Sequence, residues 1–418
     1  MMNELFNKVR SNSRIKKIVE ICLIIFFGLY IFSIPSFSAR TKYNLITYAL
    51  MFSCAAFVGI YYIFYSKFIF NKRLLIPFVF ALESLIGTAL HSHEFRHWLT
   101  IVLLSVTLVI FYYGFSAINN KRLIFKLISY SFLAFALYFA YYYRVQIVKL
   151  NFKTPLGNHF DNVNAVGTYF SLGSSFFLYL SLTAKKKREL FYFLPSFVML
   201  GLGLFTGSRH FIITTGFTFI VTIIVGFKKR KWIAFAIILF IIALFFVVLQ
   251  TPPLALLKER INRGITTLFG IGNSKLDPSV VQRTIWPQYG FSIGSKEMIF
   301  GYGAEGFASY SGIGTYSHNA YSEIFCNYGL LGFLIFYSLF IYSLILALRS
   351  KNSGINIVFI IVAFYFIKGF FGVYFASKDA YIMVALIMFL TKDIHLCEYV
   401  GFGFKSSVGS DRFSEVSI

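Results

Sequence analysis

Apolar residues along this chain do not alternate with polar ones. They gather in runs, many of 17 or more residues, with short polar stretches between them. A run of that length can cross a bilayer as a helix. Backbone N–H and C=O groups in lipid must find partners within their own segment, so such runs mean helices. No stretch has the period-two alternation of an outer-membrane strand. The pattern predicts twelve spans, at residues 18–35, 43–65, 74–90, 98–118, 123–143, 163–183, 190–206, 210–227, 232–249, 322–348, 355–373 and 380–391. The organisation that follows is nine spans within residues 1–249, a long connection at 250–321, three spans within 322–391 and a tail at 392–418. The expected fold class is an all-α polytopic membrane protein with about twelve transmembrane helices.

Composition agrees with this reading. Of 418 residues, 58% are hydrophobic, 20% aromatic and 13% charged, where a soluble domain carries about 25% charged residues. A net charge of +23 by itself raises the question of nucleic acid. The positions of the cations answer it, because they sit in short clusters between apolar runs. Lys8, Arg10, Arg14, Lys16 and Lys17 precede the first span. Lys185–Arg188 and Lys228–Lys231 are the densest of the later clusters. Alternation of the spans puts all the dense clusters on one side, which is the positive-inside pattern. Both termini are then cytoplasmic, and no nucleic-acid partner is expected. The first run lacks a small-residue cleavage site and reads as a retained helix. Cys22, Cys54, Cys326 and Cys397 have no paired spacing and read as small apolar residues.

The connection at 250–321 falls on the outer side. A loop of about 70 residues is functional or disordered, and the aromatics, apolar residues and turn glycines of this one predict order. Residues 254–269 read as an amphipathic helix lying on the membrane.

Three groups of residues on that side could carry chemistry. Thr206-Gly207-Ser208-Arg209-His210 joins two spans with almost no loop, so Arg209 lies at the outer membrane boundary. It is either an arginine that snorkels to headgroups or an anion ligand helped by the amide groups and dipole of a helix start. Arg283, within Val281–Trp286, can make forked bonds to a phosphate, though spacing alone favours a solvated arginine. Arg260 and Arg263 on the amphipathic helix carry the same ambiguity. His318 stands at the mouth of a predicted helix, with Gly329 beneath it on the same face and Gly332 close by. The two glycines allow close approach of another backbone. The histidine is either a general base or a simple hydrogen-bonding residue at the interface.

Weaker signals resolve otherwise. His91, His93, Glu94 and His97 lack a metal-ligand spacing, so no metal or other cofactor is expected. Gly301-Tyr-Gly-Ala-Glu-Gly306 satisfies G-x-G-x-x-G without a surrounding βαβ unit and reads as turns. Glu83 and Lys368 fall within spans and are functional candidates by default, although they could pair with each other or with polar neighbours. Asp161, Asn162 and Asn164 open a helix and read as caps.

These residues resemble the O-antigen ligase/polymerase superfamily. The ligase pattern His-[Asn/Ser/Gln]-x9-Gly-x-x-[Gly/Thr/Tyr] is matched by His318-Asn319, nine residues, Gly329-Leu-Leu-Gly332. The turn ending at Arg209, the run from Arg283 to Gly303, and the Asn-rich stretch Gly157–Asn164 are also similar to the family. The likeness covers residues 155–350; the first 150 match in hydropathy alone. It implies a GT-C-like membrane glycosyltransferase needing no metal, with a donor glycan on undecaprenyl diphosphate, a glycan acceptor, and a chain-length regulator and flippase as associated proteins. Arg209 and Arg283 would hold the diphosphate, His318 would act as base, and Arg260, Arg263, Asn319 and Asn164 would support them. The leading expectation is a repeat-unit polymerase for O-antigen or capsule in the inner (plasma) membrane, with its site on the extracytoplasmic face. A ligase moving a finished polymer onto lipid A core or another acceptor is the alternative, and the histidine motif leans that way. The Phe-, Ile-, Tyr- and Lys-rich composition leans toward the polymerase. A lipid transporter would want charges deep in the helices and gating breaks, and few charges are expected there.

Overall fold

The computed structural model describes residues 13–37, 41–91, 95–148, 156, 159–160, 163–184, 186–226, 239, 250, 258–263, 266, 278–350 and 355–394. Fourteen α-helices in chain order organise them, and no strand occurs among the described residues. They are α1 (Ser13–Phe37), α2 (Thr41–Phe64), α3 (Ile76–Leu90), α4 (Phe95–Ile118), α5 (Lys121–Tyr142), the short α6 (Arg144–Val148), α7 (Val163–Leu182), α8 (Phe193–Phe205) and α9 (Arg209–Gly226). Then come α10 (Pro278–Gly294), the short α11 (Gly306–Tyr310), α12 (Ala320–Arg349), α13 (Ile357–Gly369) and α14 (Lys378–Leu390).

Among the described residues, nine helices are long and apolar enough to cross a membrane. Eleven of the twelve expected spans have a helical counterpart, and the one at 232–249 lies outside the described residues. Two counterparts, α13 and α14, have only 13 residues each. At 1.5 Å per residue each is about 20 Å long, short of the ~30 Å hydrocarbon core. Hydropathy carried the expected span on to residue 373, but the backbone leaves the helix after Gly369 and residues 370–377 turn inward.

The bundle is layered around α14, whose residues from Asp379 to Leu390 are all buried, and α7, buried along nearly its whole length. α7 packs against α8 and α9, α14 against α4, α1 against α2 and α5, and α12 against α3 and α10. Outer helices present large apolar side chains outward, such as Leu45, Phe52, Ile63, Val79 and Leu82. That is the surface a lipid-facing bundle requires, since lipid tails are as apolar as leucine.

Cations collect at one end. Arg73 donates to Thr391 Oγ1 (2.9 Å) and to Met388 O (3.3 Å). Lys121 reaches Leu390 O (3.4 Å) and Asp393 (3.2 Å), and Lys392 reaches Asn119 (3.0 Å). Arg122 pairs with Glu189 at 2.8 Å. Positive side chains thus meet the open carbonyls of the α14 C-terminus, where the helix dipole favours them.

A glycine breaks α12. Gly329 has φ 60° and ψ −166°, a region open essentially to glycine alone. The 298–303 segment enters the break and exchanges backbone bonds with it: Leu330 N–H donates to Met298 O (2.7 Å), Tyr302 N–H to Cys326 O (3.0 Å) and Gly303 N–H to Asn327 O (2.6 Å). The expected close approach at Gly329 is therefore made by backbone, and a kinked helix replaces the straight one assumed from spacing. Glu83 Oε2 lies 2.6 Å from where a Cβ on Gly332 would sit. Gly329→Ala is expected to destabilise the protein by ~1–3 kcal/mol through conformation, with further loss from collision with the Ile299 carbonyl. A thermal midpoint in detergent equal to wild type would count against this backbone.

Candidate active site

A cavity of about 580 Å³ opens among the starts of α4, α7, α9, α12 and α14 and the end of α13. It lies at the end of the bundle opposite the cations: α14 contributes Asp379 here and its last carbonyls there. Ligand pockets run from ~300 to 1,000 Å³. His318 lines it, together with Asn164, His210, Glu323, Lys368 and Asp379.

His318 is held by the turn that starts α12. Asn319 caps the helix, its Oδ1 accepting from Tyr321 N–H (2.9 Å) and Ser322 N–H (3.0 Å). Glu323 reaches back to accept from Ser317 N–H at 2.5 Å, and Ser317 Oγ donates to Asn319 O at 2.9 Å. Between these anchors His318 adopts φ 61°, a left-handed conformation uncommon in non-glycine residues and found most at functional sites. Trp286 stacks on its ring with centroids 5.3 Å apart, and Tyr316 meets it edge-on at 4.4 Å. Burial, and then the nearby charge of Arg283, pushes the imidazole down from 6.5 to about 4. At neutral pH it is uncharged, with a lone pair to accept a proton.

Arg209 is the first residue of α9. Ser208 caps that helix by accepting from Phe211 N–H (3.2 Å), while Gly207 supplies the left-handed turn at φ 62°. The junction is therefore as tight as the sequence implies. Arg209 Nη1 donates to Arg260 O (3.1 Å), and Nη2 donates to Ser279 Oγ. Arg283 Nη1 donates to Ser279 O at 2.8 Å. The two guanidiniums thus meet at Ser279 on α10, and Trp286, about two turns beyond Ser279 and one beyond Arg283, reaches His318. Neither arginine lines the cavity itself; Arg283 is near enough for its charge to act on His318, and Arg209 joins it through Ser279.

The supporting residues divide. Arg260 belongs to the assembly, its Nη1 donating to Gly207 O at 2.7 Å. Arg263 is exposed and paired with Glu259. Asn164 is the second residue of α7, and its Oδ1 accepts from Ser208 Oγ (2.7 Å), which ties α7 to the Arg209 turn. Asn319 spends its side-chain oxygen on the helix cap. Only residues 258–263 and 266 of the expected amphipathic helix are described, and they are helical. Asp161, Asn162, His93 and Glu94 lie outside the described residues.

Spacing did not announce α10. Pro278, Pro287, Gly290 and Gly294 obscure its pattern, yet the glycines let it lie close to α12. A Cβ on Gly290 would sit 3.0 Å from Ser322 Cβ, and one on Gly294 2.9 Å from Cys326 Cα. Lys368 pairs with Asp379 (3.2 Å) and not with Glu83. Both oxygens of Glu83 lack a hydrogen-bond partner among the described residues. His97 pairs with Glu305 at 3.0 Å, and no cluster able to hold a metal ion occurs among the described residues. Gly301–Gly306 forms turns, with left-handed Gly301, Gly303 and Glu305, wedged between α3 and α12.

The fold defines a multi-pass membrane protein, with His318 on a cavity at one end of its bundle. A family model described as O-Antigen ligase matches residues 194–337, the stretch from α8 into α12 that carries Arg209, Arg283 and His318. That match supports the O-antigen ligase/polymerase superfamily for this chain. No curated protein matches it.

The depressed basicity of His318 gives a pH prediction. A base works in its neutral form, so activity depending on His318 should hold as pH falls through 6 and 5 and decline only near 4. The acid limb of kcat/KM for a reconstituted protein, checked by return to pH 7, measures it. Arg283→Gln should move that limb upward, because it removes the secondary cause and leaves burial. A limb near 6.5 in the wild type would contradict the position assigned to the ring.

Proposed function

We propose that this chain is a membrane glycosyltransferase that polymerises undecaprenyl-diphosphate-linked oligosaccharide repeats into O-antigen or capsular polysaccharide. The observation that carries the reading is the role of α10, which ties Arg209 and Arg283 together at Ser279 and lays Trp286 on His318. Two permanent cations and one neutral imidazole are thereby linked through one helix.

The donor's diphosphate lies on Arg209 and Arg283, exchanging bonds now made to Ser279 and Arg260 O for forked bonds to phosphate. An acceptor hydroxyl attacks the anomeric carbon while the bond from that carbon to the diphosphate oxygen breaks. The hydroxyl proton passes to a ring nitrogen of His318, and the lipid diphosphate leaves with the electron pair. Charge developing on the leaving group is met by fixed cations. Bound diphosphate also offsets the Arg283 charge and makes His318 a stronger base when it is needed. The positive-inside pattern assigns the cation-rich end to the cytoplasm, so the cavity faces outward. There no nucleotide sugar is supplied, and a lipid-linked donor must carry its own activated bond.

A ligase is the second reading, favoured by the unbroken His318–Gly332 pattern and the description of the matching family. Reconstituted protein supplied with short lipid-linked repeats separates the two. Longer lipid-linked products are expected for a polymerase. Absence of extension until a separate acceptor is added would establish the ligase, and no transfer under either condition would remove both.

A further inference from the structure

His210 follows Arg209 but faces elsewhere. It is 5% exposed, lines the cavity, and neither ring nitrogen has a hydrogen-bond partner among the described residues. Its ring meets Phe371 edge-on at 6.1 Å. Buried imidazoles without partners are costly, so two unmatched polar atoms on a residue that lines a cavity point to something that enters it.

The neighbouring groups indicate the chemistry. Lys368 also lines the cavity and donates to Asp379 Oδ2 at 3.2 Å, while Tyr365 O–H donates to the same oxygen at 2.8 Å. Both contacts fall on Oδ2, which leaves Asp379 Oδ1 as an acceptor. A neutral imidazole adds one donor and one acceptor. An ion pair and a neutral ring sum to no net charge. Such a floor suits a neutral molecule that offers many donors and acceptors, and the anionic part of a substrate is better served at the arginines. His210 and His318 line the same cavity, so a sugar whose anomeric carbon lies beside His318 shares that space with His210.

We propose that His210, with Lys368 and Asp379, forms a sugar subsite that receives the hydroxyl or amide groups of the ring joined to the donor's diphosphate. This rests on the lipid-linked donor proposed above. His210 is then a specificity-determining residue that rewards the glycan and not its lipid diphosphate.

Binding tests it without turnover. Purified protein in detergent is titrated with undecaprenyl diphosphate alone and with undecaprenyl diphosphates bearing one hexose, one N-acetylhexosamine or one 6-deoxyhexose. Wild type should bind at least one sugar-bearing lipid more tightly than the bare one. His210→Ala should reduce that preference roughly tenfold, the scale of a lost hydrogen-bonding group, while affinity for bare undecaprenyl diphosphate stays unchanged. His210→Gln, which keeps a donor and an acceptor, should recover part of the preference and controls for folding. An undiminished preference in both variants overturns the subsite alone. So does equal binding of all four lipids by wild type. If wild type binds none of them, the lipid-linked donor reading falls and takes the subsite with it.

Discussion

His318→Ala should lower the rate of glycan transfer by ~10²–10⁴-fold, the usual contribution of a positioned base, while membrane insertion and protein level stay normal. The geometry explains why so small a change reaches so far. Asn319 and Glu323 hold the turn from both sides, and Trp286 and Tyr316 fix the ring plane. Among the described residues, the other imidazoles that line the cavity are engaged elsewhere: His210 packs against Phe371, and His97 pairs with Glu305. Because alanine also removes the surface on which Trp286 stacks, His318→Gln serves as the size control and should be similarly inactive. The lengths of lipid-linked products on a gel provide the measurement. Normal chain lengths from His318→Ala would end the assignment of this residue as base.

The second large effect is expected at Arg209. Lysine there keeps the charge but loses the planar fork, which matters wherever phosphate is held by two parallel bonds. Arg209→Lys should cost roughly 10²-fold in kcat/KM, the lower range for removing one donor to a charged transition state. The same substitution loosens a structural tie, because Arg209 bonds Arg260 O and Ser279. A thermal midpoint in detergent separates the two consequences: a stable but inactive variant supports the phosphate role, whereas a stable and fully active one marks Arg209 as a charge that merely snorkels to headgroups.

Much of the candidate site was legible because its residues break a local rule. Arg209 interrupts two apolar runs, and His318 precedes glycines at a fixed interval. Such departures stand out in a sequence that is otherwise lipid-like. His210 had no such mark; only its unmatched nitrogens and its place on the cavity lining single it out. Asp379 and Lys368 are 11 residues apart with a non-helical turn between them, and no periodicity connects them. Asn164 suggested a cap because asparagines near helix starts commonly are caps, and nothing in the sequence signalled its bond to Ser208, 44 residues away.

The sequence alone determined the material of this protein and the grouping of its cations into short clusters between apolar runs. Long apolar runs leave the backbone no stable choice but helices, and basic clusters bias orientation through local charge; both effects act within one segment. Which helix ends would meet depended on the whole bundle. α10 carries too little apolar patterning to reveal itself, and it is seated by glycines that admit it against α12. The kink at Gly329 exists because a loop from 298–303 supplies the hydrogen bonds that the broken helix gives up. Convergence of two arginines on Ser279 and of Trp286 on His318 is a long-range property, decided by packing between segments far apart in the chain.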